Sequence, residues 1–547
     1  MKSLFYTFSF LFVCLSYSAF AQNEASPQGG TLSGSFDATG NFFMRDPAIG
    51  AANIPQYDYE KFGAQSWFNL NYRKHGFDIG VRFDLFNNSN LLIPTQSYTA
   101  QGIGNWYVKK KLDKFELAAG YLYDQIGSGV IFRAFEERSL AIDNALYGVR
   151  VTYEATPNFK LKAFTGKQKV QFDSYPAIIK GIAADGFFAL GDSTHQITFS
   201  PGVGLVGRTF DKNSIEQMVS TISNYSLADS IGVQYNTYAF AAYNTMNVGP
   251  FSWYIEGAAK TTDVFFNSLA ARTARNGEQT LGKLENKMGN FIYSTVSYAG
   301  HGLGLSVEGK RTENFMFRTN PFVALNRGTI NFLPPMSRQN TYRLSARYNA
   351  ATQELGEQAI QAEARYKIRK VLEVMANFSN IQTLENKLLY REFLVETTIK
   401  KKKKSLILGV QIQHYNQEIY EVKPLVPLLK TFTVYTEYVH KFSRKRTLRT
   451  ELQHMATQQD YGSWLFALAE FSTAPHWIFT VSDMYNYNPK KTKKALNYPT
   501  ASVAYTYNSH RVSLSYVKQV EGVVCTGGIC RLEPAFSGAR LTVNSVF

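Results

Sequence analysis

The chain has 547 residues, with 58 Lys and Arg against 42 Asp and Glu, three Cys and 15% aromatic residues. Its apolar and aromatic content excludes a disordered chain, and three Cys exclude a disulfide-rich scaffold. The only long apolar run is N-terminal, which excludes a helical membrane bundle.

In chain order, Lys2, the apolar run Leu4–Tyr17 and the small-residue site Ser18-Ala19-Phe20-Ala21 form a charged region, a hydrophobic region and a cleavage site. The expectation is a signal peptide over 1–21, with Gln22 as the first mature residue, and a short periplasmic segment over 22–30. Cys14 leaves with the leader, and loss of Lys2 lowers the formal charge from +16 to +15.

From about residue 31 to 547 the chain alternates at period two, which places successive side chains on opposite faces of a strand. Phe68, Leu70 and Tyr72 oppose Asn69, Asn71 and Arg73; Phe77, Ile79, Val81, Phe83 and Leu85 oppose Asp78, Gly80, Arg82 and Asp84. Leu406, Leu408, Val410 and Ile412 oppose Gly409, Gln411 and Gln413, and Val512, Leu514 and Tyr516 oppose Ser513 and Ser515. Tight turns such as Lys74-His75-Gly76, Leu112-Asp113-Lys114, Thr156-Pro157-Asn158, Arg369-Lys370, Lys400–Lys404, Ala474-Pro475-His476 and Asn508-Ser509-His510 alternate with longer loops. The loops are expected at 45–65, 87–101, 124–144, 170–231, 261–287, 312–339, 416–430, 487–497 and 519–534. Long strands, no helical half and a short-turn/long-loop asymmetry predict an all-β fold: one large antiparallel transmembrane β-barrel with periplasmic turns and extracellular loops. Lipid offers the backbone no hydrogen bonds, so a sheet crosses it only when closed.

About 23 strands are visible, and an even count requires one more, for which Gly328–Leu333 is the best candidate; the expectation is roughly 22–24. Ser214-Ile215-Glu216-Gln217 has capping-box spacing and predicts a helix inside loop 170–231. Tyr121, Tyr123, Tyr153, Phe159, Tyr243, Phe251, Trp253, Tyr485 and Tyr487 lie near strand ends, as girdle residues do. Ala539, Leu541, Val543, Ser545 and Phe547 form a closing strand that ends on an aromatic residue and resembles a barrel-insertion signal, with Ser545 a departure.

Gly127-Ser128-Gly129, Arg133-Ala134-Phe135-Glu136-Glu137-Arg138, Ala141-Ile142-Asp143-Asn144-Ala145 and Gly148-Val149-Arg150 resemble segments of an outer-membrane β-barrel family of unknown function in Bacteroidetes. So do Asn331-Phe332-Leu333-Pro334, Arg449-Thr450-Glu451-Leu452-Gln453-His454, Ala474-Pro475-His476-Trp477 and Cys525-Thr526-Gly527-Gly528-Ile529-Cys530-Arg531. The resemblance implies a Gram-negative outer membrane of that phylum and brings no activity with it.

Cys525 and Cys530 bracket four residues and most simply close a disulfide loop outside the cytosol; a redox or metal site is the alternative. Arg133, Glu136, Glu137, Arg138 and Asp143 crowd loop 124–144, where they can form either a solute-selecting constriction or an ion-pair lattice that pins the loop. Lys400–Lys404 reads as a solvated or headgroup-contacting turn between strands. The eight His fall in no nucleophile elbow, H-E-x-x-H or zinc spacing, so neither enzyme activity, a cofactor nor a metal is expected. Nucleic acid is not an expected partner, because no basic helix or binding motif occurs. Expected partners are outer-membrane lipid, the barrel-insertion machinery during assembly, and other envelope proteins. Two roles follow: a porin-like channel or solute-binding barrel, or a non-catalytic accessory barrel of a secretion or outer-membrane assembly machine whose lumen is closed by loop 170–231.

Overall fold

In the computed structural model, residues 29–192, 196–323, 327–492, 494–527 and 529–547 are described; the expected leader 1–21 and residues 22–28 lie outside them. Among the described residues, 24 antiparallel strands close into one barrel. The first strand, Thr31–Phe43, pairs with its neighbour Phe62–Lys74 and with the last strand, Phe536–Val546, so the sheet has no open edge. Phe547 completes the seam: it exchanges backbone hydrogen bonds with Gly34, and its ring stacks on Phe68 at 6.2 Å.

The alternation explains the wall. Phe77, Ile79 and Phe83 are exposed on the outer face, while Arg82, Asp84 and Phe86 on the same strand are buried inside. Val512, Leu514 and Tyr516 repeat this outward pattern on the strand His510–Gln519. An apolar exterior around a polar interior inverts a water-soluble barrel and suits a lipid surround. Phe159, Phe251 and Trp253 ring the short-turn end; Tyr485 and Tyr487 lie outward near the other. Tyr243 departs from the girdle expectation: it points inward and donates to Asp185 at 2.6 Å.

The short turns fall at one end together with the start of the first strand and the end of the last. Several obey hairpin chemistry: His75 and Gly76 both have positive φ, 48° and 75°, as a two-residue turn matched to strand twist requires.

Two expectations need correction. Segment 170–231 is no single loop, and it does not close the lumen. It contains the strands Asp173–Gly186, continued by Phe188–Leu190, and Ile197–Thr209, with a tight turn at Gln171-Phe172; 210–235 remains as the long loop. These strands escaped the alternation test because both their faces are apolar. Ile178, Ile182 and Val203 face outward, whereas Ile179, Ala183 and Val206 pack inward on other chain segments. The helix in the loop runs Lys212–Ile222, capped by Asp211, which accepts from the Ser214 N–H at 3.2 Å. The second correction is Gly328–Leu333, which is not a strand. Ile330 and Leu333 are buried inside the barrel, and the stretch makes an isolated bridge, Arg318–Thr329, without joining the barrel sheet. Among the described residues the barrel has 24 strands, two of them from segment 170–231.

Strands Phe251–Thr273 and Gln279–Gly300 are 23 and 22 residues long and run on past the barrel as a hairpin, so 261–287 is mostly strand and not loop. The helix Lys212–Ile222 packs on this extension through Met218 and Ile222 against Val264 and Leu284.

Candidate functional site

Residues 314–323 and 327–355 leave the long-loop end after the strand Leu303–Glu313 and return to it at Gly356–Arg369, with no regular structure among the described residues. Instead of covering the mouth, they fill the lumen. Phe315, Phe317, Ile330, Leu333, Met336, Leu344 and Tyr348 are buried. An irregular chain inside a barrel must find partners for its backbone carbonyls and amides, and inward polar side chains of the wall supply them. Arg208 donates to the Arg318 carbonyl at 2.8 Å, Gln168 to that of Thr329 at 2.5 Å, Gln411 to that of Ser345 at 3.2 Å and Gln413 to that of Tyr348 at 2.7 Å. Lys260 and Lys310 donate to the carbonyls of Met316 and Pro334. Gln453 accepts from the Leu344 amide at 2.7 Å. Much of the polar inner face that the sequence suggests as a pore lining is therefore spent on holding a plug.

One anchor is itself ionic. Asp263, 1% exposed, takes Arg208 at 2.7 Å and Lys260 at 2.8 Å, and both of these cations also hold plug carbonyls.

Loop 123–145 forms a second internal layer. Gly127 and Gly129 have φ of 55° and 102°; a Cβ on Gly127 would lie 2.4 Å from Glu256 Oε1, so the Gly-Ser-Gly turn needs glycine there to let Ser128 N–H reach Glu256 at 3.2 Å. Ile126, Val130, Ile131 and Phe132 then pack against Phe315, Phe317 and the wall.

The charged residues singled out in this loop separate by role. Glu136 accepts from Arg82 at 2.7 Å and from Arg138 at 3.1 Å; Arg138 continues to Asp37 at 2.9 Å. Asp143 accepts from Arg82 at 2.8 Å, from Lys169 and from the Tyr123 hydroxyl at 2.9 Å. Burial works to raise the Asp143 pKa, but Lys169 and Arg82 outweigh it and hold the carboxyl below its ordinary value. Glu137 caps a single turn, accepting from the Ser139 hydroxyl at 2.7 Å. Arg133 stands apart: its guanidinium lies 4.0 Å over Phe332 and 4.7 Å from Phe135. Sequence reasoning missed the wall residues Arg82, Asp37 and Lys169, which sit far away in the chain and carry no motif.

The segments that carry the family resemblance meet here. Phe332 N–H donates to the Gly129 carbonyl at 2.9 Å, Asn144 donates to the Thr329 carbonyl at 3.2 Å, and Gly527 approaches Phe332. Cys525 and Cys530 are disulfide-bonded across the hairpin of Gly522–Thr526 and Ile529–Glu533, which lies against the plug at Asn349.

Between the plug, this hairpin and the loops 416–428, 457–461 and 490–492 lies a cavity of about 490 Å³ at the long-loop end. Arg318, Arg347, Tyr348, Glu354, Tyr420, Asp460, Tyr461, Lys491 and Arg531 line it. Asp460 accepts from Lys491 at 2.6 Å and from the Tyr348 hydroxyl at 2.7 Å; burial opposes its charge, but these donors keep its pKa below the ordinary value. Sequence reasoning passed over Arg347, whose Ser-Ala-Arg-Tyr-Asn setting signals nothing by itself.

A family profile described as "Family of unknown function (DUF6029)" matches residues 1–547. No curated protein sequence matches the chain. Among solved structures, the chain is similar to the P pilus usher (PapC) translocation pore, with TM-score 0.42 and 9% identity over 94% of this chain and 99% of that one. It is also similar to a mutant of the ferric enterobactin receptor (PfeA) of Pseudomonas aeruginosa in complex with enterobactin, with TM-score 0.43 and 9% identity over 96% and 82%. A third is the outer membrane protein opdK of Pseudomonas aeruginosa, with TM-score 0.35 and 9% identity over 78% and 97%.

Proposed function

Because the chain belongs to this family of unknown function, we propose a role from its geometry: an outer-membrane barrel of a Gram-negative cell that admits a small solute captured at its outer mouth, its lumen closed at rest by residues 314–355. The carrying observation is the plug. A permanently open pore has no use for an inner wall whose Gln, Lys and Arg are bound to an inserted chain. A purely structural barrel has no use for a water-accessible cavity directly above that chain. The closed sheet with an apolar exterior supports the outer-membrane location.

Planar-bilayer recording tests the reading. The intact protein should conduct little, and Gln411→Ala with Gln413→Ala, which frees the carbonyls of Ser345 and Tyr348, should open frequent large steps. A barrel that stays silent with the plug loosened excludes transport.

One observation favours the second role, an accessory barrel in an envelope machine. The projecting hairpin and the loop after the helix expose Leu281 and Leu227, at 71% and 96%, on a surface that no channel requires. A silent barrel that co-purifies with a constant set of envelope proteins would establish that role instead.

A further inference from the structure

We propose that the cavity above the plug binds a small organic oxyanion carrying a flat ring, with Arg347 as the anchor. This deepens the transport reading of the same cavity and rests on it for the direction of entry.

Glu521 also lines the cavity and makes no ion pair among the described residues; the other charges fall into two groups. Arg318 pairs with Glu354 at 2.6 Å, Lys491 with Asp460 at 2.6 Å, and Lys423 with Glu421, so three carboxylates are spent. Arg347 and Arg531 have no such partner: among the described residues no carboxylate lies within ion-pair distance of either. The Arg347 guanidinium sits among rings, 4.9 Å from Trp464, 5.0 Å from Tyr461 and 5.7 Å from Tyr348, and its buried Nε has no hydrogen-bond acceptor. Arg531 donates to the carbonyls of Ser139 at 3.2 Å and Asn90 at 3.3 Å, and its Nε is likewise unsatisfied.

Asp460 and Tyr348 act on Arg347 without a direct ion pair, and a guanidinium withdrawn from water gains from an anion that contacts it directly. Its planar fork suits a carboxylate or phosphate bidentately. The ring requirement comes from the walls: Tyr348, Tyr420, Tyr461 and Phe332 present aromatic surface to the same space, and offset stacking rewards a flat partner. The volume of about 490 Å³ suits a small organic molecule. Arg347 and Tyr348 belong to the plug, so a bound oxyanion touches the stopper itself.

The test is calorimetric titration of the full-length protein in detergent with benzoate, phenyl phosphate, inorganic phosphate and benzamide, the uncharged counterpart of benzoate. Benzoate or phenyl phosphate should bind saturably, and which of the two binds tighter identifies the headgroup. Benzamide should be weaker than benzoate by about tenfold, the worth of one charge-assisted contact, and inorganic phosphate weaker than phenyl phosphate by about three- to tenfold, the worth of stacking the ring. Arg347→Met should weaken the oxyanion by about tenfold or more. Should that variant misfold, Arg347→Lys, which keeps the charge and loses the fork, should show a smaller loss in the same direction. Absence of saturable heat with every oxyanion, or equal affinity in a folded Arg347 variant, overturns the proposal. The transport reading fails separately: a barrel that binds benzoate but stays silent with its plug loosened keeps this site and loses that role.

Discussion

At the scale of single residues, the interior is held by cations that do two tasks at once. Arg208 and Lys260 neutralise Asp263 and also bond the plug carbonyls of Arg318 and Met316. Removing the shared carboxylate strands two buried positive charges, and losing one partner of a buried ion pair costs about 3–5 kcal/mol. Asp263→Asn is therefore expected to lower the midpoint of urea unfolding in lipid vesicles, whereas Glu313→Gln, at an exposed rim pair with Arg311, should leave it nearly unchanged. The acidic limb of the pH profile belongs to the loops. Asp143 and Asp460 both have folded pKa values held below the ordinary carboxylate value. Such groups add stability that is fully present above the unfolded value of about 3.9 and is lost as pH falls through the folded one. Conductance of the intact barrel should thus stay low at pH 5–7 and rise only as pH drops below about 4. Asp143→Asn with Asp460→Asn should abolish that acid dependence.

At the scale of elements, legibility follows what each strand's inner face meets. Where it meets water or polar groups, as from Phe77 to Leu85, alternation is plain and the strand is readable. Where it meets the apolar plug, as at Ile179, Ala183 and Val206, both faces are hydrophobic and period two disappears. The plug was unreadable for the complementary reason. Ile330 and Asn331 alternate like a strand, but their partners are Phe315 and the wall, contacts set by a fold that local spacing cannot report. The crowding of Arg133, Glu136, Glu137, Arg138 and Asp143 was visible, whereas the wall ions that complete it were not. The Cys525–Cys530 bond is local and was readable, and its hairpin carries Arg531 to the cavity wall. Cys525→Ser with Cys530→Ser should leave the barrel folded, since the hairpin pairs only with itself. It should nevertheless speed protease cleavage within 522–533 on intact cells.

For the whole molecule, the two faces of the wall carry opposite tolerances. Val410 lies near the middle of Lys404–Tyr415 and is 43% exposed on the outer face. Val410→Arg should destabilise the barrel in lipid vesicles by about 2–4 kcal/mol, the cost of a cation at the bilayer midplane. Ser513→Arg, on the inner face of His510–Gln519, should cost far less. Equal effects would mean that the outer face does not meet hydrocarbon.

The plug enters and leaves the barrel at one end, between Glu313 and Gly356, and both attachments lie at the long-loop mouth. It is a cork on a leash tied to the lip of that mouth. Withdrawal carries its middle toward the surroundings, while neither tether lets it drop inward. A membrane-impermeant maleimide applied to living cells bearing a lone cysteine at Ser345, buried at 1% when the cork is seated, would count the unseated fraction directly.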